Sequence, residues 1–114
     1  MPDIAAKRRS WSRAEQLVAL RYYLQTDFGR LHSHNPEIQA LAGALGRTAS
    51  SIAMKGSNYA SPDPNITGSG RKGLDKASRQ DQEVWSFMNE LFEDFEEESA
   101  AAAIQFRLDP VTLM

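Results

Sequence analysis

The chain has 114 residues, the length of one domain, because independently folding domains usually contain about 100–150 residues. Hydrophobic residues make up 41% of it and charged residues 25%, a balance that excludes a wholly disordered chain. The absence of cysteine excludes disulfides, thiolate metal sites and cysteine nucleophiles. No segment approaches the roughly 18 apolar residues of a membrane span, and no secretory signal is recognisable, so we expect a cytoplasmic protein.

The formal charge of −2 is divided unevenly along the sequence. Residues 1–79 contain 12 of the 13 lysines and arginines against 6 acidic residues, a formal +6, whereas residues 80–114 contain 1 against 9, a formal −8. A basic body with an acidic C-terminal part is typical of a protein whose first part binds a polyanion and whose second part has a separate role.

The first predicted helix begins at Ser12, because Ser12 and Glu15 have the spacing of a capping box. Trp11, just before it, is expected to pack against the start of the helix. Leucines at helical spacing then indicate a buried stripe: Leu17, Leu20 and Leu24. Gly29 predicts a turn, so the helix ends before the Phe-Gly-Arg segment that contains it.

Two further helices are predicted close together. Asn35 and Pro36 form a start signal, with asparagine as the cap and proline at the first helical position, and Gly46 supplies a C-terminal stop. Only Arg47 separates this glycine from Thr48, another capping residue, so the third helix follows after a sharp turn. This is the spacing of a helix-turn-helix.

In the third helix, which we expect from Ala49 to about Tyr59, small side chains fall on one narrow face and polar ones on the other. Such a helix can enter the major groove of DNA, where arginine or lysine suits guanine, asparagine suits adenine and serine suits either. The residues predicted to contact DNA are Arg47, Thr48, Ser50, Ser51, Met54, Lys55 and Asn58. A plain corner between two packed helices is the alternative that spacing alone leaves open.

Two basic segments flank this helical region. Lys7, Arg8 and Arg9 form an arm before the first helix, and Arg71 and Lys72 lie in a loop rich in proline and glycine after the third. Both segments can neutralise phosphates without reading sequence, and the arm can also enter the minor groove. Ordinary solvated charge is the alternative for either segment alone.

A last helix is predicted from the capping residues Ser78 and Asp81, and its apolar residues keep helical spacing. A run of acidic residues and alanines extends it before Pro110 ends it. The chain is therefore predicted to be all-α with a three-helix helix-turn-helix core and a long C-terminal acidic helix. Its predicted parts are a basic arm (1–10), a helical DNA-binding domain (11–95) and an acidic, alanine-rich helix extension and tail (96–114).

His32 and His34 invite comparison with a metal site or a nuclease, but they are the only histidines and no cysteine completes a ligand set. A metal-dependent nuclease also needs ligands and a base around one pocket. The acidic residues of the last helix are better interpreted as a solvated face, since nothing convergent accompanies them. We therefore predict no metal, no cofactor and no catalytic residues.

Six motifs follow one another along the chain: Trp11-Ser-Arg-Ala-Glu15, Asn35-Pro-Glu-Ile38, Leu45-Gly-Arg-Thr48, Ser51-Ile-Ala-Met-Lys55, Asn58-Tyr-Ala-Ser61 with Asp63-Pro64, and Lys72-Gly-Leu74 with Asp81-Gln-Glu-Val-Trp85. Between about Trp11 and Phe95, this series resembles the N-terminal region of a group of bacterial HNH-type restriction endonucleases. The Gly46-Arg47-Thr48 segment also resembles Myb-like helix-turn-helix units. In the endonuclease family this region precedes a C-terminal HNH nuclease domain, so the resemblance implies a DNA-targeting role.

The chain departs from that family in two respects. It contains no His-Asn-His nuclease segment, so cleavage is not carried over and we expect no enzyme activity. Gly56 stands where a larger apolar residue is expected, which would shorten the third helix and weaken the contact role of Asn58.

The leading prediction is a module that binds double-stranded DNA, either a small regulator or the targeting part of a nuclease whose catalytic domain lies elsewhere. The alternative is a protein-interaction or dimerisation adaptor, for example of a phage or mobile element. It would act through the acidic C-terminal helix with Trp85, Phe92 and Phe95. A nuclease domain, another protein and a second copy of the chain are further candidate partners.

Overall fold

The computed structural model describes residues 10–25, 32–60 and 78–109, and this part of the chain folds into five helices without a strand. The helices are α1 (Arg13–Tyr23), α2 (Pro36–Leu45), α3 (Ala49–Ala60), α4 (Arg79–Glu90) and α5 (Phe92–Gln105). The predicted all-α class is confirmed for these residues. Within them, no helix combines the length and the apolar character needed to cross a membrane.

Four of the helices begin at the predicted capping residues, Ser12, Asn35, Thr48 and Ser78. The Ser12 hydroxyl accepts a hydrogen bond from the Glu15 amide, while the Glu15 carboxylate accepts one from the Ser12 amide. Ser78 and Asp81 make the same pair of bonds at the start of α4. Asn35 caps α2. These starts are set by local sequence, because each cap satisfies backbone amides that no earlier turn can reach.

The helix α1 is central, since every residue from Glu15 to Tyr23 is buried. It contacts α3, α4 and α5, while α2 packs against α3. The larger apolar residues of the core are Leu17, Val18, Leu20, Tyr22, Tyr23, Ile38, Leu41, Leu45, Ile52, Tyr59, Val84, Met88 and Phe95. Leu24 was predicted to belong to this core, but it follows the last turn of α1 and is exposed.

The single C-terminal helix that the sequence predicts is divided at Leu91. This residue has φ −132° and ψ 59°, outside the helical region; its amide donates to the Phe87 carbonyl, and its carbonyl accepts from the Phe95 amide. An unbroken helix over residues 79–105 would be about 40 Å long and would carry its second half away from the core. The turn instead lays α5 against α1.

The packing of α5 on α1 uses small residues, which allow the two helices to approach closely. The buried ones are Ser99, Ala102 and Ala103. Arg21 of α1 donates to the Glu96 carbonyl at 3.2 Å and to the Ser99 hydroxyl at 2.9 Å. The second half of α5 therefore contributes buried side chains to the same core as α1. The turn predicted at Gly29 lies outside the described residues.

Candidate nucleic-acid interface

The turn between α2 and α3 forms at the glycine that the sequence indicates. Gly46 has φ 68° and ψ 35°, a left-handed conformation that glycine adopts without strain. Thr48 is exposed, and its Oγ1 accepts a 3.1 Å hydrogen bond from the Ser51 amide. The inner side of α3 then buries Ile52 and Ala53 against the core. The joint between α2 and α3 is therefore short and fixed at both ends.

The outer face of α3 consists of Ser50, Ser51, Met54 and Ser57. Ser50 and Met54 are exposed, with 57% of Met54 accessible, while Ser51 and Ser57 are partly exposed. The helix contains no acidic residue. This face is thus uncharged, with small hydroxyl groups around one apolar side chain. Whether it contacts DNA stays a prediction.

Arg47 points into the protein, contrary to the prediction that it is free to contact bases. Its guanidinium donates to both oxygens of the Glu15 carboxylate, at 3.0 and 2.9 Å, and to the Ser10 carbonyl at 2.9 Å. It also stacks on Trp11, with Cζ 4.2 Å from the ring centroid. Only 6% of the Arg47 side chain is exposed. The predicted outward position is wrong because a buried carboxylate on α1 binds the guanidinium at two points.

Lys55 and Asn58 also turn inward, toward the start of α4. The Lys55 Nζ atom pairs with Asp81 Oδ1 at 2.7 Å, and the Asn58 side-chain nitrogen donates to Asp81 Oδ2 at 3.1 Å. The predicted outward orientation of both residues is wrong, since the buried Asp81 carboxylate attracts them. Gly56 does not shorten α3, which continues to Ala60. Asn58 is therefore turned away from a contact with DNA by its bond to Asp81, and not by a shortened helix.

Asp81 organises this cluster, a role that the sequence analysis missed. It is almost fully buried and accepts hydrogen bonds from Lys55, Asn58, Gln16 and the Ser78 amide. Burial raises the pKa of Asp81, but the bonds from Lys55, Gln16 and Ser78 and the charge of Lys55 outweigh it and hold that pKa below its ordinary value. The carboxylate is therefore ionised at neutral pH, and Lys55 balances its charge. The capping-box pattern in the sequence predicted that Asp81 helps to cap α4. It did not predict the hydrogen bonds from Gln16, Lys55 and Asn58.

Tyr59 extends the cluster into the core. Its hydroxyl lies 3.1 Å from the Gln16 carbonyl oxygen and is also hydrogen-bonded to the Gln16 side-chain oxygen. Burial raises the pKa of Tyr59 well above its ordinary value, and the negative charge of Asp81 raises it further. The phenol stays neutral at physiological pH and serves as a structural link. No pattern in the sequence distinguished Gln16 from the other polar residues of α1.

Trp11 lies beside two buried cations, Arg47 and Lys55. Its ring is stacked by Arg47 and has Lys55 Nζ 4.9 Å from its centroid, and its carbonyl accepts a 2.9 Å hydrogen bond from the Gln80 side chain. The preceding residue, Ser10, is held by Arg47. The chain that follows the predicted basic arm is therefore fixed beside the start of α3.

The other predicted phosphate contacts are Lys7, Arg8 and Arg9 in the arm and Arg71 and Lys72 in the loop. All five residues lie outside the part of the chain that the structure describes. Their role in a nucleic-acid interface stays a prediction.

His32 and His34 are exposed, and their ring centroids are 6.3 Å apart. Across residues 10–25, 32–60 and 78–109, no three His, Asp or Glu side chains come together in a way that could hold a metal ion.

Comparison of the chain with protein-family models, with curated proteins and with solved structures gave no match.

Proposed function

We propose that this chain binds double-stranded DNA, with α1, α2 and α3 forming a helix-turn-helix core whose third helix enters the major groove. The observation that carries the proposal is the anchoring of Ser10 and Trp11 on Arg47 at the start of α3. Arg9 directly precedes Ser10, so the basic arm joins the described structure beside the proposed recognition helix. Helix-turn-helix proteins of the homeodomain type combine a helix in the major groove with an arm in the minor groove.

The second basic segment adjoins the same helix. Residues 61–77 follow α3 directly and lead into Ser78, the cap of α4. The start of α4 is tied to α3 through the pair between Lys55 and Asp81. Lys55, like Arg47, thus acts as a positioning residue: together they hold the attachment points of both basic segments, while those segments neutralise phosphates.

The distribution of acidic residues supports this orientation. The exposed acidic residues of α4 and α5 are Glu83, Glu90, Glu93, Asp94, Glu97 and Glu98. A duplex is repelled by such a surface and attracted toward an uncharged helix with basic flanks. DNA is therefore expected to approach the domain at α3 and not at the exposed acidic surface of α4 and α5.

The resemblance to the N-terminal region of HNH-type restriction endonucleases favours a targeting role, either for a nuclease domain on another chain or in a small regulator. Binding of this kind needs no cofactor, because side chains and backbone amides make all the contacts. Cleavage is not part of the proposal.

The proposal is tested by fluorescence polarisation of the full chain against a random-sequence duplex at two salt concentrations. We expect affinity to fall steeply as salt rises, because phosphate contacts release counterions. Replacing Lys7, Arg8 and Arg9 together with alanine should reduce the slope of log affinity against log salt by about 3, at roughly 0.9 for each lost contact. Arg107→Ala, which removes an exposed arginine just beyond α5, is the control and should leave the slope unchanged. A folded wild-type chain without salt-dependent binding would contradict the proposal.

A second candidate function is protein interaction through the joint between α4 and α5. Leu91 and Phe92 are half-exposed there. The adjoining groove, of about 220 Å³, is lined by Arg21, Leu24, Gln25, Phe92, Phe95 and Glu96. Exposed apolar residues with a polar rim mark interaction surfaces. A symmetric dimer through this joint would bring two acidic surfaces together, each with the exposed Glu90 and Glu93, so the favoured partner is a different protein with a basic segment and an apolar anchor.

This second function is tested with a labelled synthetic peptide rich in lysine and arginine around one tryptophan. We expect binding by the wild-type chain, much weaker binding by Phe92→Ser, and unchanged binding by Met54→Ser, which replaces an exposed apolar residue on the other surface. Equal binding by the wild type and Phe92→Ser would exclude this surface.

A further inference from the structure

The exposed part of α3 differs from a helix that reads guanine or adenine through paired hydrogen bonds. Those contacts require arginine or lysine for guanine and asparagine or glutamine for adenine. Lys55 and Asn58, the long polar side chains of α3, are bound to Asp81, and the Asn58 Oδ1 atom is also buried. Arg47, just before the helix, is bound to Glu15. The side chains of Arg47, Lys55 and Asn58, which are of the types suited to paired contacts with bases, are therefore bound to carboxylates of the protein itself.

What the outer face presents instead is Met54 among serines. Ser50 lies one turn before Met54, and Ser51 and Ser57 lie three residues to either side of it, so all three are its neighbours on the helix surface. Each serine side chain is shorter than methionine by two heavy atoms, so Met54 reaches furthest from the helix. Methionine is flexible and polarisable, which suits it to contact with an apolar group of variable position.

Thymine is the base that presents a methyl group in the major groove, where it makes apolar contacts with protein side chains. We infer that Met54 determines specificity by contacting the 5-methyl group of thymine, while the neighbouring serine hydroxyls bond to adjacent base edges. This inference rests on the proposed DNA binding and adds a preference for thymine-containing sites. Serine hydroxyls donate to or accept from any base, so they do not oppose that preference.

The experiment compares two duplexes of alternating A·T sequence, one of which carries uracil in place of every thymine. Uracil lacks only the 5-methyl group, so charge and base pairing are unchanged. Burial of one methyl group against an apolar side chain corresponds to about fourfold in affinity, and we expect the wild-type chain to bind the thymine duplex about fourfold more tightly. Met54→Leu should retain the preference, whereas Met54→Ser, which removes the apolar side chain, should bind both duplexes equally.

The outcomes separate this inference from the proposal beneath it. Equal binding of both duplexes by the wild type would overturn the thymine contact while leaving DNA binding intact. A preference that persists in Met54→Ser would assign the methyl contact to another residue and would also overturn the inference. Binding of neither duplex by the folded wild-type chain at low salt would overturn the proposed function itself.

Discussion

The capping boxes at the starts of α1 and α4 are built alike, and each contains an acid that also binds a cation from the α2–α3 region. Glu15 receives two hydrogen bonds from Arg47, which occupies both carboxylate oxygens. Asp81 receives one from Lys55, and two amide side chains supply further donors. The planar guanidinium binds both oxygens of a carboxylate by itself, whereas the single ammonium group of lysine leaves acceptor positions that neighbouring amides fill.

The comparison shows how one local motif acquires two different tertiary roles. The Glu15 pair fastens α1 to the turn before α3 and holds Ser10, while the Asp81 cluster fastens α4 to the middle of α3 and reaches Gln16 in α1. Asp81 is bound by side chains from both α1 and α3. Disruption at Asp81 should therefore cost more, and the following predictions rank these contacts.

The largest effect is expected for Asp81→Ala. The substitution leaves the Lys55 charge buried without its partner, and removal of one member of a buried pair typically costs about 3–5 kcal/mol of unfolding free energy. Urea denaturation measures the loss. The matched control is Ser78→Ala, which removes a cap hydrogen bond from the same box and should cost about 1 kcal/mol. Equal losses in the two variants would show that Asp81 acts only as a cap.

A smaller but still large effect is expected for Arg47→Met. This substitution leaves the Glu15 carboxylate buried without its cation and removes the contact with the Trp11 ring, at a cost of about 3 kcal/mol. Arg47→Lys keeps the charge but loses the two-point geometry, so its loss should be intermediate. Both are measured by denaturant unfolding, and an Arg47→Lys variant as stable as the wild type would argue against the two-point bond.

The next prediction concerns the stability of the fold at acidic pH. The folded state holds the pKa of Asp81 below its ordinary value, so the ionised carboxylate stabilises the fold at neutral pH. That contribution is present above the unfolded pKa, about 3.9, and is lost as the pH falls through the lower folded pKa. Asp81→Asn should have a flatter dependence of unfolding free energy on pH below about 4 than the wild type. If the unfolding free energies of the two proteins changed equally with pH in this range, the role assigned to the Asp81 carboxylate would be contradicted.

The smallest effect is expected at the surface, for Arg13→Ala. Arg13 Nε lies 2.6 Å from a Glu98 oxygen, but about half of each side chain is exposed. The hydrogen bond from Arg13 lowers the pKa of Glu98, yet solvent screens such pairs, and the loss should be below about 1 kcal/mol and smaller still in high salt. Thermal unfolding at two salt concentrations measures it, and a loss as large as that of Arg47→Met would contradict the ranking.

Helix starts and one turn followed from local sequence. Ser12, Asn35 and Ser78 cap the helices they were predicted to cap, and Gly46 adopts the left-handed conformation expected after α2. The break at Leu91 was not predictable, because no glycine or proline marks it and the apolar spacing continues through it. The break serves the packing of α5 on α1, a contact between residues far apart in the chain.

The sequence by itself determined which segments become helices, because capping bonds and helical spacing act over a few residues. It did not determine which way Arg47, Lys55 and Asn58 point, since their partners are acids 23 to 32 residues away along the chain. Only the tertiary structure brought Glu15 and Asp81 within bonding distance of them. A buried carboxylate must bind cations or other donors, and that requirement drew inward the side chains that local pattern had assigned to solvent.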